Sequence, residues 1–156
     1  MNLQQTSSNE LYELLSPDIA QELRKHEKYT TVRPGTKLVG HGDLPKDLII
    51  VNTGSVEISL AAGSQMISIA VAGSGKVLGL RPVISGASSE IEATTLEECS
   101  VLFVPKQQFL EVLKQHPEIY IAIARILSTD LKAAERVLRD LRGATGREKQ
   151  HSFVMA

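Results

Sequence analysis

The stretch from Tyr29 to Val104 consists of short runs of β-branched and aliphatic residues, separated by turn residues at intervals of roughly ten positions. The runs are YTTV, KLV, LIIV, SVEISL, MISIAV, IEATT and SVLFV. The breaks between them contain Gly, Pro, Asn and Asp, which supply the backbone conformations that tight reversals need. This rhythm is typical of an antiparallel sandwich or barrel, and it predicts about seven strands.

Helical spacing replaces this pattern on both sides of the strand region. Ser16 followed by Pro17 is typical of an N-cap with proline at the first helical position, so a short helix is predicted to begin there. After Pro105 another helix is predicted, and it ends at His116-Pro117. The apolar positions that define these helices are Leu11, Leu14, Leu15, Ile19, Leu23, Phe109, Val112 and Leu113.

A longer helix is predicted from Glu118 to Arg142, where the chain contains neither Gly nor Pro. Its apolar residues alternate at spacings of four and three, which is the seam of a coiled coil. We therefore expect a homodimer that forms through this helix. Gly143 is predicted to end the helix in a left-handed cap, and residues 143–156 are predicted to be a tail. The seam positions are Leu127, Leu131, Ala134, Leu138 and Leu141.

Length and charge limit the classes of protein that fit. A chain of 156 residues has room for one core, so we expect a compact domain over 1–116 with N-terminal helices, then the helix over 117–142. The formal net charge of −1 gives no electrostatic footprint for nucleic acid. No stretch approaches 18 uninterrupted apolar residues, so no membrane span is expected.

Residues suited to catalysis or metal binding are sparse. The four histidines, His26, His41, His116 and His151, lie far apart, and the motifs HExxH, CxxC and GxSxG are all missing. We therefore expect neither an enzyme nor a metal centre. The single Cys99 is typical of a reducing compartment, which predicts a cytoplasmic location. It falls in a predicted closing strand, where a small buried hydrophobe is expected rather than a haem ligand.

Four stretches carry a resemblance to a known family. They are VRPGTKLVGHGD (32–43), LIIVNTGSVEIS (48–59), GKVLGL (75–80) and ATTLEECSVLFVPKQQFLEVLKQHPEI (93–119). In this order they resemble the regulatory, cyclic-nucleotide-binding domain of the Crp/Fnr family of bacterial transcription factors, over roughly residues 11–142. The resemblance implies a mainly β fold with flanking helices: an antiparallel β-roll, or jelly roll, followed by a long C-terminal dimerisation helix.

The resemblance also places a ligand site. In the family, glycine amides and a helix N-terminus receive the phosphate of a cyclic nucleotide, a Glu accepts the ribose hydroxyl and an Arg pairs with the phosphate. Here the corresponding segment runs over residues 79–93, and Leu80 stands where the ribose-binding Glu is expected. The phosphate-binding Arg falls on or beside Ser89, next to Glu90 and Glu92, which repel a phosphate. Arg81 is the only cation in the segment.

These departures predict that cyclic AMP binds weakly. Base-contacting polar residues of the long helix correspond to Ala134 and Glu135, so contacts are lost at both ends of the site. Without these polar contacts, a mostly apolar cavity is expected, suited to another small-molecule effector. The candidate ligand-binding residues are Gly79, Leu80, Arg81, Pro82, Val83, Ser88, Ser89, Ala134 and Glu135.

Two alternatives remain open from the sequence. One is a true cyclic-nucleotide sensor that uses Arg81 for the phosphate, and the other is a dimerisation or partner-docking module without a ligand. In the family a helix-turn-helix domain follows the long helix. This sequence stops fourteen residues after Arg142, so no direct DNA binding is expected of it. It is either a stand-alone effector domain or a fragment of a longer regulator.

Overall fold

A computed structural model describes residues 8–145, which form two four-stranded antiparallel sheets with helices on one side. The strand order is β1-β8-β3-β6 in the first sheet and β2-β7-β4-β5 in the second. The predicted antiparallel β-roll with flanking helices is confirmed. The strands are β1 Lys28–Val32, β2 Lys37–Val39, β3 Asp47–Thr53, β4 Val56–Ala62, β5 Gln65–Ala72, β6 Val77–Leu78, β7 Ile91–Thr95 and β8 Cys99–Pro105.

The strand count differs from the prediction by one. The seven predicted runs correspond to β1–β5, β7 and β8, whereas the two-residue β6 was not predicted. Strand β6 pairs with the centre of β3, where Ile50 faces Val77 and Ile49 faces Leu78. A strand this short carries no alternation of its own, because its place is fixed by its partner and not by local pattern.

Alternation along β3 divides the core into two clusters. Ile49 and Val51 face the space between the sheets, where they pack with Val56, Ala93 and other buried strand residues. Leu48 and Ile50 face the opposite side, toward the helices. Successive side chains of a strand point to opposite faces, so a strand buried on both faces reads as the continuous apolar run LIIV.

The helices cover the outer face of the first sheet. A 3₁₀ turn spans Tyr12–Leu14, α1 spans Pro17–Arg24 and α3 spans Lys106–Gln115. The predicted helix start at Ser16-Pro17 is confirmed, with Ser16 as N-cap and proline at the beginning of the helix. The side chains that these elements bury against the sheet include Leu11, Ile19, Leu23, Phe109, Val112 and Leu113.

The long helix α4 spans Ile119–Thr145 and packs against β5 and against α2, the helix Leu80–Ser85. The predicted left-handed cap at Gly143 is wrong, because the helix continues through this residue, whose φ is not positive. A glycine weakens a helix without ending it when the residues around it keep helical hydrogen bonds. The remaining part of the predicted tail, 146–156, lies outside the described residues. Within 8–145, no helix is long and apolar enough to cross a membrane.

Gly54 illustrates why a turn in this roll needs glycine. Its φ is +101°, and a Cβ at this position would lie 2.5 Å from Cys99 Sγ and 2.8 Å from the carbonyl oxygen of Glu98. The turn between β3 and β4 therefore presses directly against the start of β8. Gly35, Gly42 and Gly75 also have positive φ, as predicted for turn glycines.

Candidate functional site

The segment that the resemblance assigns to the ligand forms α2, a helix of six residues bounded by two glycines. Gly79 precedes it with φ +90°, and Gly86 ends it with φ +77° while its N–H donates to the carbonyl of Pro82 at 2.8 Å. The sequence from Pro82 to Gly86 is typical of a short helix with a glycine cap, and the structure confirms this prediction. Asp47 of β3 lies close to Gly79: a Cβ added at Gly79 would be 3.6 Å from the carbonyl oxygen of Asp47.

Leu80 and Val83 are core residues. Leu80 is 2% exposed and Val83 is 1% exposed, and both belong to the cluster that contains Ile123 and Ile126 of α4. These side chains therefore fill the contact between α2 and the first half of α4. Ala134 lies about two helical turns beyond Ile126, outside that cluster.

Arg81 is half-exposed and its Nη1 lies 3.3 Å from Glu90 Oε2. Glu92 pairs with a different cation, Lys37 of β2, at 3.5 Å. Both carboxylates that were predicted to repel a phosphate are thus engaged by cations of the chain itself. The ion pair of Arg81 with Glu90 was not predicted, because the loop between them gives no periodic signal.

Ser89 is 2% exposed and is fixed by four hydrogen bonds. Its N–H donates to the carbonyl of Asp43 and its carbonyl accepts from Gly42, each at 2.8 Å. Its hydroxyl donates to the carbonyl of Ile91 at 2.9 Å and accepts from the N–H of the same residue at 3.2 Å. Ser89 therefore anchors the loop before β7, and Ser88 beside it is exposed.

The residues of α4 that the sequence singled out differ in exposure. Ala134 and Leu138 are buried within the chain, at 5% and 8%, whereas Leu131 and Leu141 are 40% and 42% exposed. Leu127 packs partly against the helical side of the core, and Glu135 is half-buried. The predicted seam is thus divided between an outward face and a face that the chain itself covers.

One cluster of charges connects three separate segments and was not predicted. Lys76 Nζ lies 2.6 Å from Asp130 Oδ1 on α4 and 3.3 Å from Glu10 Oε2 near the N-terminus. Glu10 Oε2 also accepts a hydrogen bond from the N–H of Val77 at 2.7 Å. The partners lie 54 to 67 positions apart, so only the tertiary structure brings them together.

Cys99 opens β8 and is fully buried. Two carbonyl oxygens lie within reach of its single S–H donor, those of Glu97 at 3.3 Å and Ser55 at 3.4 Å from Sγ. Burial raises the pKa of this thiol above its usual range. Burial and a raised pKa disfavour the thiolate, which is the form that binds metals and reacts. Among the residues that the structure describes, no three His, Cys, Asp or Glu side chains are grouped to hold a metal ion.

Two hollows lie away from α2. The first, of about 250 Å³, lies between the N-terminal helical segment and the start of α4, with Leu15, Ile19 and Ala122 among its lining residues. The second, of about 340 Å³, lies beside the turn Gly73–Lys76 and the segment Ser8–Glu10. None of the predicted ligand residues lines either hollow.

Solved structures with the same fold are numerous. Three of them, from Thermus, Xanthomonas and Streptomyces, each have less than 25% sequence identity to this chain. The Thermus thermophilus catabolite activator protein has a TM-score of 0.71 and 21% identity, over 85% of this chain and 63% of its own. The regulator CLP of Xanthomonas campestris, described as c-di-GMP responsive, has a TM-score of 0.68 and 20% identity, over 84% of this chain and 66% of its own. The N-terminal domain of a transcriptional regulator from Streptomyces coelicolor has a TM-score of 0.60 and 24% identity, over 89% of this chain and 92% of its own.

The sequence itself carries the family assignment. Residues 29–116, more than half of the chain, match the family described as the cyclic nucleotide-binding domain. None of the curated protein sequences matches the chain. This chain belongs to the cyclic nucleotide-binding domain family, as the resemblance predicted, and it spans 63% of the length of the Thermus protein.

Proposed function

We propose that this chain is a ligand-sensing regulatory domain in which the phosphate and ribose contacts of the family have been lost, so that cyclic AMP is not bound tightly. The observation that carries the proposal is the position of Leu80. Its side chain offers no hydrogen-bond acceptor and is 2% exposed in the core between α2 and α4. A ribose hydroxyl that the family binds at this position gains no partner.

The phosphate side of the site supports the same proposal. Ser89, on or beside the position of the family's arginine, uses its hydroxyl to bond Ile91, and Arg81, the only cation of residues 79–93, is paired with Glu90. Each charge-assisted hydrogen bond contributes about 1.5–3 kcal/mol, so the loss of two such contacts weakens binding by roughly two decades or more.

A different effector fits the same fold. The Xanthomonas relative is described as responsive to c-di-GMP, so domains of this fold are not limited to cyclic AMP. We infer that this domain senses a small molecule other than cyclic AMP and transmits its occupancy through α4, which packs against α2. The proposed role is one of ligand binding and signalling and not of catalysis, in keeping with membership of the cyclic nucleotide-binding domain family.

A homodimer through α4 is part of the proposal. Leu131 and Leu141 are 40% and 42% exposed, and they lie on the seam that the sequence predicts to pair with a second copy. In the proposed role, the domain acts in the cytoplasm and passes its signal to transcription without contacting DNA directly. Its basis is the description of the Streptomyces relative as part of a transcriptional regulator.

Calorimetric titration of cyclic AMP and cyclic GMP tests the proposal. The wild-type domain is compared with Arg81→Ala and with Arg139→Ala, which removes the same charge at an exposed position on α4. No binding up to millimolar nucleotide in any of the three supports the proposal. Micromolar binding to the wild type overturns it, and loss of that binding in Arg81→Ala alone establishes a true cyclic-nucleotide sensor that uses Arg81.

A further inference from the structure

Two carboxylates of the chain, Glu90 and Glu92, pair with the cations beside α2. Arg81, the only cation between residues 79 and 93, has Glu90 Oε2 at 3.3 Å. Lys37, on the strand beside β7, has Glu92 Oε2 at 3.5 Å. Each of these cations therefore has a negative partner before any ligand arrives.

Hydrogen bonds hold the backbone beside Glu90, so the fold sets the position from which its side chain reaches α2. Gly86 ends α2 in a left-handed conformation. Three residues later Ser89 exchanges two backbone hydrogen bonds with the turn that contains Gly42 and Asp43. Glu90 follows directly, at the entrance to β7, and its side chain reaches back to α2.

We propose that Glu90 determines the charge specificity of this site by occupying Arg81 in place of a ligand anion. A carboxylate presents two oxygens to a guanidinium as a phosphate does, so the two compete for the same donors. The site consequently favours effectors without negative charge. When the charge of Glu90 is removed, Arg81 can pair with an anionic ligand. This inference rests on the proposed function and names the ligand class of the same site.

The size of the effect follows from exposure. The side chains of Arg81 and Glu90 are 49% and 56% exposed, and ion pairs between exposed groups are weak and screened by salt. Glu90 therefore lowers the affinity for anions without excluding them. We expect its neutralisation to change the discrimination between charged and uncharged ligands by about two- to five-fold at low salt, and by less at high salt.

The experiment compares cyclic AMP with adenosine, which has the base and ribose but no phosphate. Nuclear magnetic resonance titrations measure dissociation constants into the millimolar range, using the amide signals of residues 79–93. The variants are Glu90→Gln, Glu111→Gln as the control with the same charge change at an exposed position on α3, and the double variant Arg81→Ala/Glu90→Gln. We expect Glu90→Gln alone to shift the ratio of the two constants toward cyclic AMP.

The outcomes separate this inference from the proposed function. An equal shift in Glu111→Gln, or a shift that persists in the double variant, overturns the inference because net charge or another group is then responsible. An unchanged ratio in Glu90→Gln overturns it as well, whether or not the wild type binds cyclic AMP weakly. Tight binding of cyclic AMP to the wild type overturns the proposed function, while the ratio still tests the role of Glu90.

Discussion

Lys76 Nζ and Asp130 Oδ1 lie 2.6 Å apart and join the turn before β6 to the middle of α4. Lys76 is 19% exposed and also contacts Glu10 at 3.3 Å, so one ammonium group holds the N-terminal segment and the long helix on the roll. The Cβ position of Gly75, the preceding residue, would lie 3.4 Å from the carbonyl of Ser8, which shows how closely these segments approach.

Replacing this ammonium is expected to loosen α4. Lys76→Met keeps the aliphatic stem but removes the ammonium group that pairs with Glu10 and Asp130. Because these carboxylates are 30% and 43% exposed, the free energy of unfolding is expected to fall by about 0.5–2 kcal/mol. Amide hydrogen exchange in α4 around Asp130 is expected to accelerate. Urea unfolding and hydrogen exchange measure the two effects. The control is Lys25→Met, which breaks an exposed pair with Glu22 at 3.2 Å and changes stability little. Equal losses in both variants would contradict this role of Lys76.

The carboxyl of Glu27 is expected to make stability depend on pH. Burial raises the pKa of the Glu27 carboxyl above its usual range, although the hydrogen bond from the Tyr12 hydroxyl, at 2.6 Å, and the charge of Arg24 lower it. The folded state thus holds the proton more tightly than the unfolded state does. This contribution to stability is fully present below the unfolded pKa and is lost as the pH rises through the folded pKa.

Glu27→Gln tests this dependence. The variant keeps an oxygen acceptor for Tyr12 but cannot ionise, so its stability relative to the wild type is expected to increase as the pH rises, and then to level off. Each unit of pKa shift corresponds to about 1.4 kcal/mol. Urea unfolding at a series of pH values gives the difference. In Tyr12→Phe, which removes the hydroxyl, the pH of the transition is expected to rise. A difference that does not vary with pH would refute the assignment to Glu27.

Two turn glycines with positive φ form a matched pair. Both Gly54→Ala and Gly63→Ala force a side chain into the left-handed region, which costs about 1–2 kcal/mol. A Cβ at Gly63 meets open space, whereas at Gly54 it would lie 2.5 Å from Cys99 Sγ. Gly54→Ala is therefore expected to lose about 1–3 kcal/mol more, because of overpacking against β8 and because its φ of +101° lies further from the left-handed helical region than the +65° of Gly63. Thermal or urea unfolding compares the two, and equal losses would show that the turn yields to the added methyl group.

The outward part of the α4 seam provides a test of the dimer. Leu131→Glu places like charges on the exposed face and is expected to give monomers that remain folded, by light scattering and circular dichroism. Leu138→Glu is expected to unfold the domain instead, because Leu138 is 8% exposed within one chain. Ser128→Glu adds the same charge at an exposed position outside the predicted seam and leaves the dimer intact. Dimers that persist in Leu131→Glu would refute pairing through this face.

The main features of the fold could be predicted from the sequence because they depend on local patterns. Seven of the eight strands, the proline-started helix at Pro17 and the glycine-capped helix after Gly79 each carry a signal within a few residues. The end of α4 was not predictable from Gly143, because a glycine in the helical region leaves the helix intact. The sequence shows only that residue 143 is a glycine, whereas the end of the helix depends on the backbone conformation that this glycine adopts.

The candidate site divides in the same way. The sequence determined that Leu80 cannot accept a hydrogen bond and that Arg81 is the sole cation of its segment, since both statements concern chemical identity. Only the tertiary structure decided that Leu80 is buried in the same core cluster as Ile123, that Arg81 pairs with Glu90, and that Lys76 contacts Asp130. These contacts join residues whose spacing follows no period of a helix or strand, so chain folding, not local propensity, brings their side chains together.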